Sequence, residues 1–186
     1  MKPYRPTADE LADAIHKKVP PVVASGLRLL FCGINPGLYS AAVGHHFARP
    51  GNRFWPAVYQ SGFTSRLLSP FHETELLSVG VGITNMVDRA TARADELTAE
   101  ELREGRLRLL ALVEEYRPRV IAILGVTAFR SAFERPKAQM GLQPDTIADR
   151  PIWVLPNPSG LNAHALLPRL TEQFTELRLS LEEFQG

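Results

Sequence analysis

The chain has 186 residues, about one domain at the ~150 residues typical of domains, with 45% hydrophobic and 22% charged residues. That balance excludes a disordered chain, no run approaches the ~20 apolar residues of a membrane span, and the lone Cys32 excludes an internal disulfide or a multi-cysteine zinc site. The net charge is +1, yet no acid stands between Asp13 and Glu73, where Lys17, Lys18, Arg28, Arg49, Arg53 and Arg66 lie with His16, His45, His46 and His72, so a basic face able to meet phosphates is expected.

The N-terminal stretch carries charges where a signal peptide would be apolar, which fits a cytoplasmic protein. Thr7-Ala-Asp-Glu10 has capping-box spacing and predicts a first helix running to Pro20-Pro21. Leu27 to Ile34 is a short apolar run of buried-strand length, stopped by Asn35-Pro36-Gly37. Leu38 to Pro50 lacks periodicity and is read as a long loop, then Asn52 to Gly62 as a short helix with Pro56 in its first turn. A second strand is expected over Leu76 to Thr84. Thr98-Ala-Glu-Glu101 then caps a long helix with Leu102, Leu109, Leu110, Val113 and Tyr116 on one stripe. Val120 to Gly125 is a third strand, Thr127 to Phe133 a helix, and Ile152 to Pro156 a fourth strand. The last helix carries Leu166, Leu170, Phe174, Leu177 and Leu181 on one side.

Strands alternating with helices predict an α/β fold with a parallel sheet, whose ligands sit beyond the strand carboxyl ends. The expected organisation is a single 1–186 domain: an N-terminal helical segment (1–26), a motif-bearing core (27–162) and a C-terminal helix (163–186). Taken singly, Asn35-Pro36-Gly37 and Asn157-Pro158-Ser159-Gly160 are turns, but both follow strands ending on one edge of the sheet. No glycine-rich phosphate loop is present, which weighs against a nucleotide-binding metabolic enzyme. His45-His46 lacks partners at metal-ligand spacing, and Cys32 reads as core. No GxSxG elbow is present, although a Ser–His–Asp triad stays open.

GINPG (33–37), GHHFARPGNRFW (44–55), GITNMVDR (82–89), ILG (123–125) and VLPNPSGLN (154–162) together resemble the uracil-DNA glycosylase superfamily. The likeness is to its bacterial mismatch-specific uracil-DNA glycosylases and their thymine-DNA glycosylase relatives, and it runs from Leu27 to the last helix. The resemblance implies a three-layer α/β/α fold with a four-stranded parallel sheet. It implies a monomer, associated with the bacterial nucleoid, that hydrolyses the N-glycosidic bond of a mispaired uracil in double-stranded DNA, with no metal, cofactor or membrane. Thymine and etheno-cytosine are further candidate bases. The base must leave the stack to be reached. By the same resemblance Asn35 positions the attacking water, Phe47 stacks on the flipped base, and Ile34 and Gly37 supply backbone contacts. His46 and Asn85 complete the base pocket. Asn157, Pro158, Ser159, Gly160 and Leu161 form the DNA-binding loop, with Leu161 as wedge.

Departures from the wider superfamily sharpen these expectations. One branch has Gly-Gln-Asp-Pro-Tyr-His as first motif and His-Pro-Ser as second; here the aspartate is Asn35, the tyrosine Gly37 and the histidine Asn157. Neutral amides orient water without deprotonating it, so a slow enzyme is expected, and Gly37 leaves room for a C5 methyl group. The arginine of the mismatch enzymes after the wedge is Ala163, followed by His164. Asp88 is the one carboxylate near a predicted strand end and is weighed as an auxiliary catalytic base against a surface partner of Arg89. A catalytically silent lesion-binding protein is the alternative to an enzyme.

Overall fold

Strand β1 (Leu29–Gly33) pairs in parallel with β2 (Val81–Asn85) on one side and β3 (Val120–Leu124) on the other. Beyond β3 come β5 (Arg150–Leu155), also parallel, and β4 (Gly141–Ile147), antiparallel at the edge. The computed structural model describes residues 4–184, so residues 1–3 and 185–186 of the expected 1–186 unit lie outside the described residues.

The expected sheet of four strands thus has a fifth. Strand β4 escaped notice because GLQPDTI holds Gly141 and Pro144 and buries Ile147 alone, a pattern only an edge strand tolerates. Its two-residue turn, Ala148-Asp149, takes φ of 47° and 60° without the glycine or asparagine that marks such hairpins.

Alternation along the strands sorts the core into two faces. Leu29 and Phe31 of β1 point to one side, where α3 (Phe54–Gln60) and α6 (Leu167–Ser180) pack, and Phe31 stacks on Phe174 at 5.3 Å. Leu30 and Cys32 point to the other, against α4 (Ala99–Tyr116) and α5 (Val126–Phe133). The result is the three-layer α/β/α sandwich that the sequence led us to expect, with one added strand. Helix α1 (Ala8–Asp13) keeps its Thr7–Glu10 capping box but gives way to a 3-10 turn over Ala14–His16, well short of Pro20. The expected loop after Gly37 begins instead with α2 (Leu38–Val43), six residues too few to display a period. Likewise Leu76 to Val79 closes a 3-10 segment, Pro70–Val79, and the second strand starts only at Val81. No helix among the described residues is long and apolar enough to cross a membrane.

Because β1 feeds β2 on one side and β3 on the other, the chain reverses direction across the sheet beside β1. A crevice opens at such a reversal, beyond the strand carboxyl ends.

Candidate active site

A cleft of ≈ 320 Å³ occupies that crevice. Ile34, Asn35, Gly37, His46, Phe47, Asn85, Asn157, Ser159 and Leu161 all line it, so the fold brings together the two motif loops and the histidine-phenylalanine segment. Pro158 and Gly160 belong to the same loop without lining the cleft. One wall, Thr91 to Asp95, was not singled out by the sequence. It is held to the first motif by Thr91 N–H donating to Pro36 O (3.1 Å) and Leu38 N–H donating to Thr91 O (3.1 Å).

Asn35 has a fixed orientation. Its Nδ2 donates to Arg89 O at 2.8 Å and to Thr91 Oγ1 at 2.7 Å, while Thr91 Oγ1 donates onward to Arg93 O at 2.7 Å. A backbone carbonyl can only accept, so the amide nitrogen must face Arg89, and Oδ1 is the atom left over. Met86 N–H donates to Gly33 O and Val87 N–H to Ile34 O, which ties the end of β2 to the same motif.

Around Gly33 the packing is close. A Cβ there would lie 2.5 Å from Asn85 Oδ1 and 3.2 Å from the Phe47 ring, so only glycine lets both side chains reach the strand end. Phe47 itself adopts a left-handed φ of 53° and stacks on Phe54 with centroids 4.1 Å apart. His46 is 1% exposed. Its backbone N–H donates to Glu73 Oε2 at 2.8 Å, and its carbonyl accepts from Trp55 Nε1 at 3.2 Å. Glu73 Oε1 lies 2.9 Å from His45 Nδ1, so one buried carboxylate anchors the whole histidine loop. Sequence reasoning missed Glu73, whose only signal was its place as the acid ending a long acid-free stretch.

Burial pushes the His46 imidazole below its ordinary range, against a weaker opposing pull from Glu73. The unfolded chain would take up that proton near pH ~6.5 and the native state only at lower pH. Above about pH 6.5 this residue therefore leaves stability unchanged, and below it the native state loses stability as pH falls. Urea midpoints from pH 8 to 5.5 should drop on the acid side, and by less in His46→Gln.

The second motif loop is braced from within. Ser159 N–H donates to Asn157 Oδ1 (3.0 Å), Leu161 N–H to Ser159 Oγ (3.2 Å) and Asn162 Nδ2 to Asn157 O (3.0 Å). Arg53 reaches across to it: its backbone N–H donates to Pro158 O (2.9 Å) and its guanidinium to Ser159 O (3.1 Å) and Asn162 O (3.0 Å). Gly160 passes so near Gly51 that a Cβ would sit 2.8 Å from its carbonyl oxygen. The brace presents Leu161 at the cleft mouth, 56% exposed. Arg53→Ala removes two charge-assisted bonds and should cost about 1–3 kcal/mol of stability. Chemical denaturation of the variant beside the wild type checks the loss.

The cations of the expected basic stretch have different settings, with the Lys18 and Arg66 ion pairs lying on the exposed surface. Besides Arg53, Lys18 pairs with Asp88, Arg66 with Glu75, and Arg28 lies over the Phe63 ring; of the six cations in the stretch, Arg49 alone lines the cleft. Asp88 is also not where it was expected. It opens onto a separate depression of ≈ 400 Å³, its carboxylate bridging Lys18 (3.1 Å) and Arg108 of α4 (3.0 Å). Those two cations draw it away from the cleft. The alternative partner, Arg89, pairs instead with Glu101 at 2.6 Å. Asp88→Asn is accordingly expected to lose only ~0–1 kcal/mol of stability in chemical denaturation, since exposed pairs contribute little.

Cys32 is buried in the sheet and its thiol is pushed up to about 12, which leaves it inert as a nucleophile. Among the described residues no group of three or more His, Cys, Asp or Glu side chains is placed to hold a metal ion. The cleft thus offers amide and backbone polarity, an aromatic face and a projecting leucine. A family model described as the uracil DNA glycosylase superfamily matches residues 20–182, which takes in both motif loops, the histidine loop and every strand of the sheet. The chain belongs to the uracil DNA glycosylase superfamily, hydrolases that release bases from DNA.

Proposed function

We propose that the protein is a mismatch-directed uracil-DNA glycosylase that extrudes the base from the duplex and hydrolyses it from its sugar in the cleft. The orientation of Asn35 carries the reading. With its N–H groups committed to Arg89 and Thr91, Oδ1 is the acceptor available to a water molecule. An amide takes up no proton at neutral pH, so Asn35 orients the water and leaves bond breaking to the base. The C1′–N1 bond breaks with its electron pair passing into the base. The water oxygen then bonds to C1′ and its proton goes to solvent. Such chemistry favours bases that leave readily as anions, and mispairs, which cost least to open.

On this reading the remaining residues take the following parts. Phe47, backed by Phe54, offers its ring as a stacking platform, and Asn85 offers an amide to the base edge. A Cβ at Gly37 would meet nothing within 4 Å, so that wall has room for a C5 substituent or an etheno ring. Leu161 is the wedge, on a loop stiff enough to push. Excision assays in EDTA on uracil, thymine and etheno-cytosine opposite each base, in single and double strands, test the reading. Release of uracil from mispaired duplexes is expected. Asn35 and Asn157 leave the two motif positions without a titratable group, which favours a second reading, a lesion-binding protein; tight mispair binding with no abasic product would establish it in place of the enzyme.

A further inference from the structure

We propose that His46 is a positioning residue that sets the hydrogen-bond polarity of Asn85, so that the cleft accepts a base carrying an N3–H and rejects one carrying an N3 lone pair. The inference rests on the reading above that Asn85 meets the extruded base. An unconstrained asparagine amide can turn either way, and the two orientations present opposite faces. Uracil offers a donor at N3, whereas cytosine, from which it arises by deamination, offers an acceptor.

The constraint starts at Pro20. Its carbonyl oxygen lies 2.9 Å from His46 Nε2, and a carbonyl only accepts, so Nε2 carries the hydrogen. A buried neutral ring has one N–H, which leaves Nδ1 a lone pair. Asn85 Nδ2 lies 3.3 Å from Nδ1 and must donate to it, which turns Oδ1 towards Gly33, the glycine that leaves it space. The frame around this relay is rigid. Val22 and Ile83 exchange backbone bonds of 2.8 and 2.9 Å, fixing the Pro20 segment to β2, the strand that carries Asn85. The His46 backbone is held on both sides by Glu73 and Trp55. Glu73 and His45 are the titratable groups that face it, and the Glu73 carboxylate is engaged by the His46 N–H and His45 Nδ1.

Two measurements test the proposal. In the free, ¹⁵N-labelled protein at pH 7.5, NMR should find His46 protonated at Nε2 and bare at Nδ1. In single-turnover assays, His46→Phe, which has no acceptor, should excise uracil opposite guanine at least tenfold more slowly with KM little changed. Its preference for uracil over cytosine mispaired opposite adenine should fall at least tenfold. His46→Gln, whose amide carries a donor and an acceptor at similar separation, should recover most of that loss. A ring protonated at Nδ1, or a folded Phe variant with wild-type rate and selectivity, overturns the proposal. If the Phe variant does not fold, the ring tautomer and His46→Gln decide, and a Gln variant without selectivity for uracil overturns it. A wild-type protein that releases no uracil refutes the glycosylase reading instead, while the tautomer measurement stands independently of activity.

Discussion

Asn35→Ala is expected to slow single-turnover base excision by ~10²-fold or more while mispair affinity stays within about threefold, because on the proposed reading the lost group orients water and bears no duplex. The local structure should survive: Thr91 keeps its bond to Arg93 O, and the Pro36–Thr91 and Leu38–Thr91 backbone bonds do not involve the Asn35 side chain. Asn35→Asp is the informative companion. It looks like a gain of a catalytic base, but the Arg89 carbonyl and the Thr91 hydroxyl oxygen both face this position as acceptors. A carboxylate there would meet two lone pairs, so it would be protonated or displaced, and no faster rate than wild type is expected at pH 7. Rapid-quench kinetics alongside equilibrium titration separate chemistry from binding. Normal excision by Asn35→Ala would remove the residue from the water-positioning role.

Gly33→Ala should be nearly as damaging, although it adds one methyl group. The new Cβ would overlap Asn85 Oδ1 and press on the Phe47 ring, and neither can yield without leaving the cleft. Phe47 is pinned against Phe54, and Asn85 is bonded to His46. Displacements of about 1 Å can cost ~10²-fold in rate, and overpacking typically costs about 1–3 kcal/mol. The expected result is therefore a folded protein with a lower unfolding midpoint and about 10²-fold slower excision. Gly37→Ala provides the contrast: its Cβ meets open space, and stability should be unchanged. Thermal unfolding of the pair, with excision rates, checks the difference.

Much of the architecture was legible from local signals. Capping boxes at Thr7 and Thr98, the heptad-like stripe of α4 and the apolar runs at β1, β3 and β5 each obey a rule that acts over a few residues. The motif loops were legible too, since Asn-Pro turns after strands declare themselves in four letters. Strand β4 was not, because an edge strand with a proline buries almost nothing and its turn residues accept positive φ without advertising it.

What the sequence by itself determined was the set of chemical groups: two amides where acids or bases could stand, a glycine beside the first motif, a histidine-phenylalanine pair and a leucine after a turn. Only the tertiary structure decided their polarity and company. Asp88 and Arg53 have the composition of a base and a DNA contact, yet Lys18 and Arg108 hold the first outside the cleft and two carbonyls turn the second into a brace. The amides of Asn35 and Asn85 acquire a direction only from Arg89 O and from the His46 ring, partners 54 and 39 residues away along the chain. Hydrogen bonds between such distant segments follow from how the layers close. No local pattern encodes them, because their geometry exists only once the chain is folded.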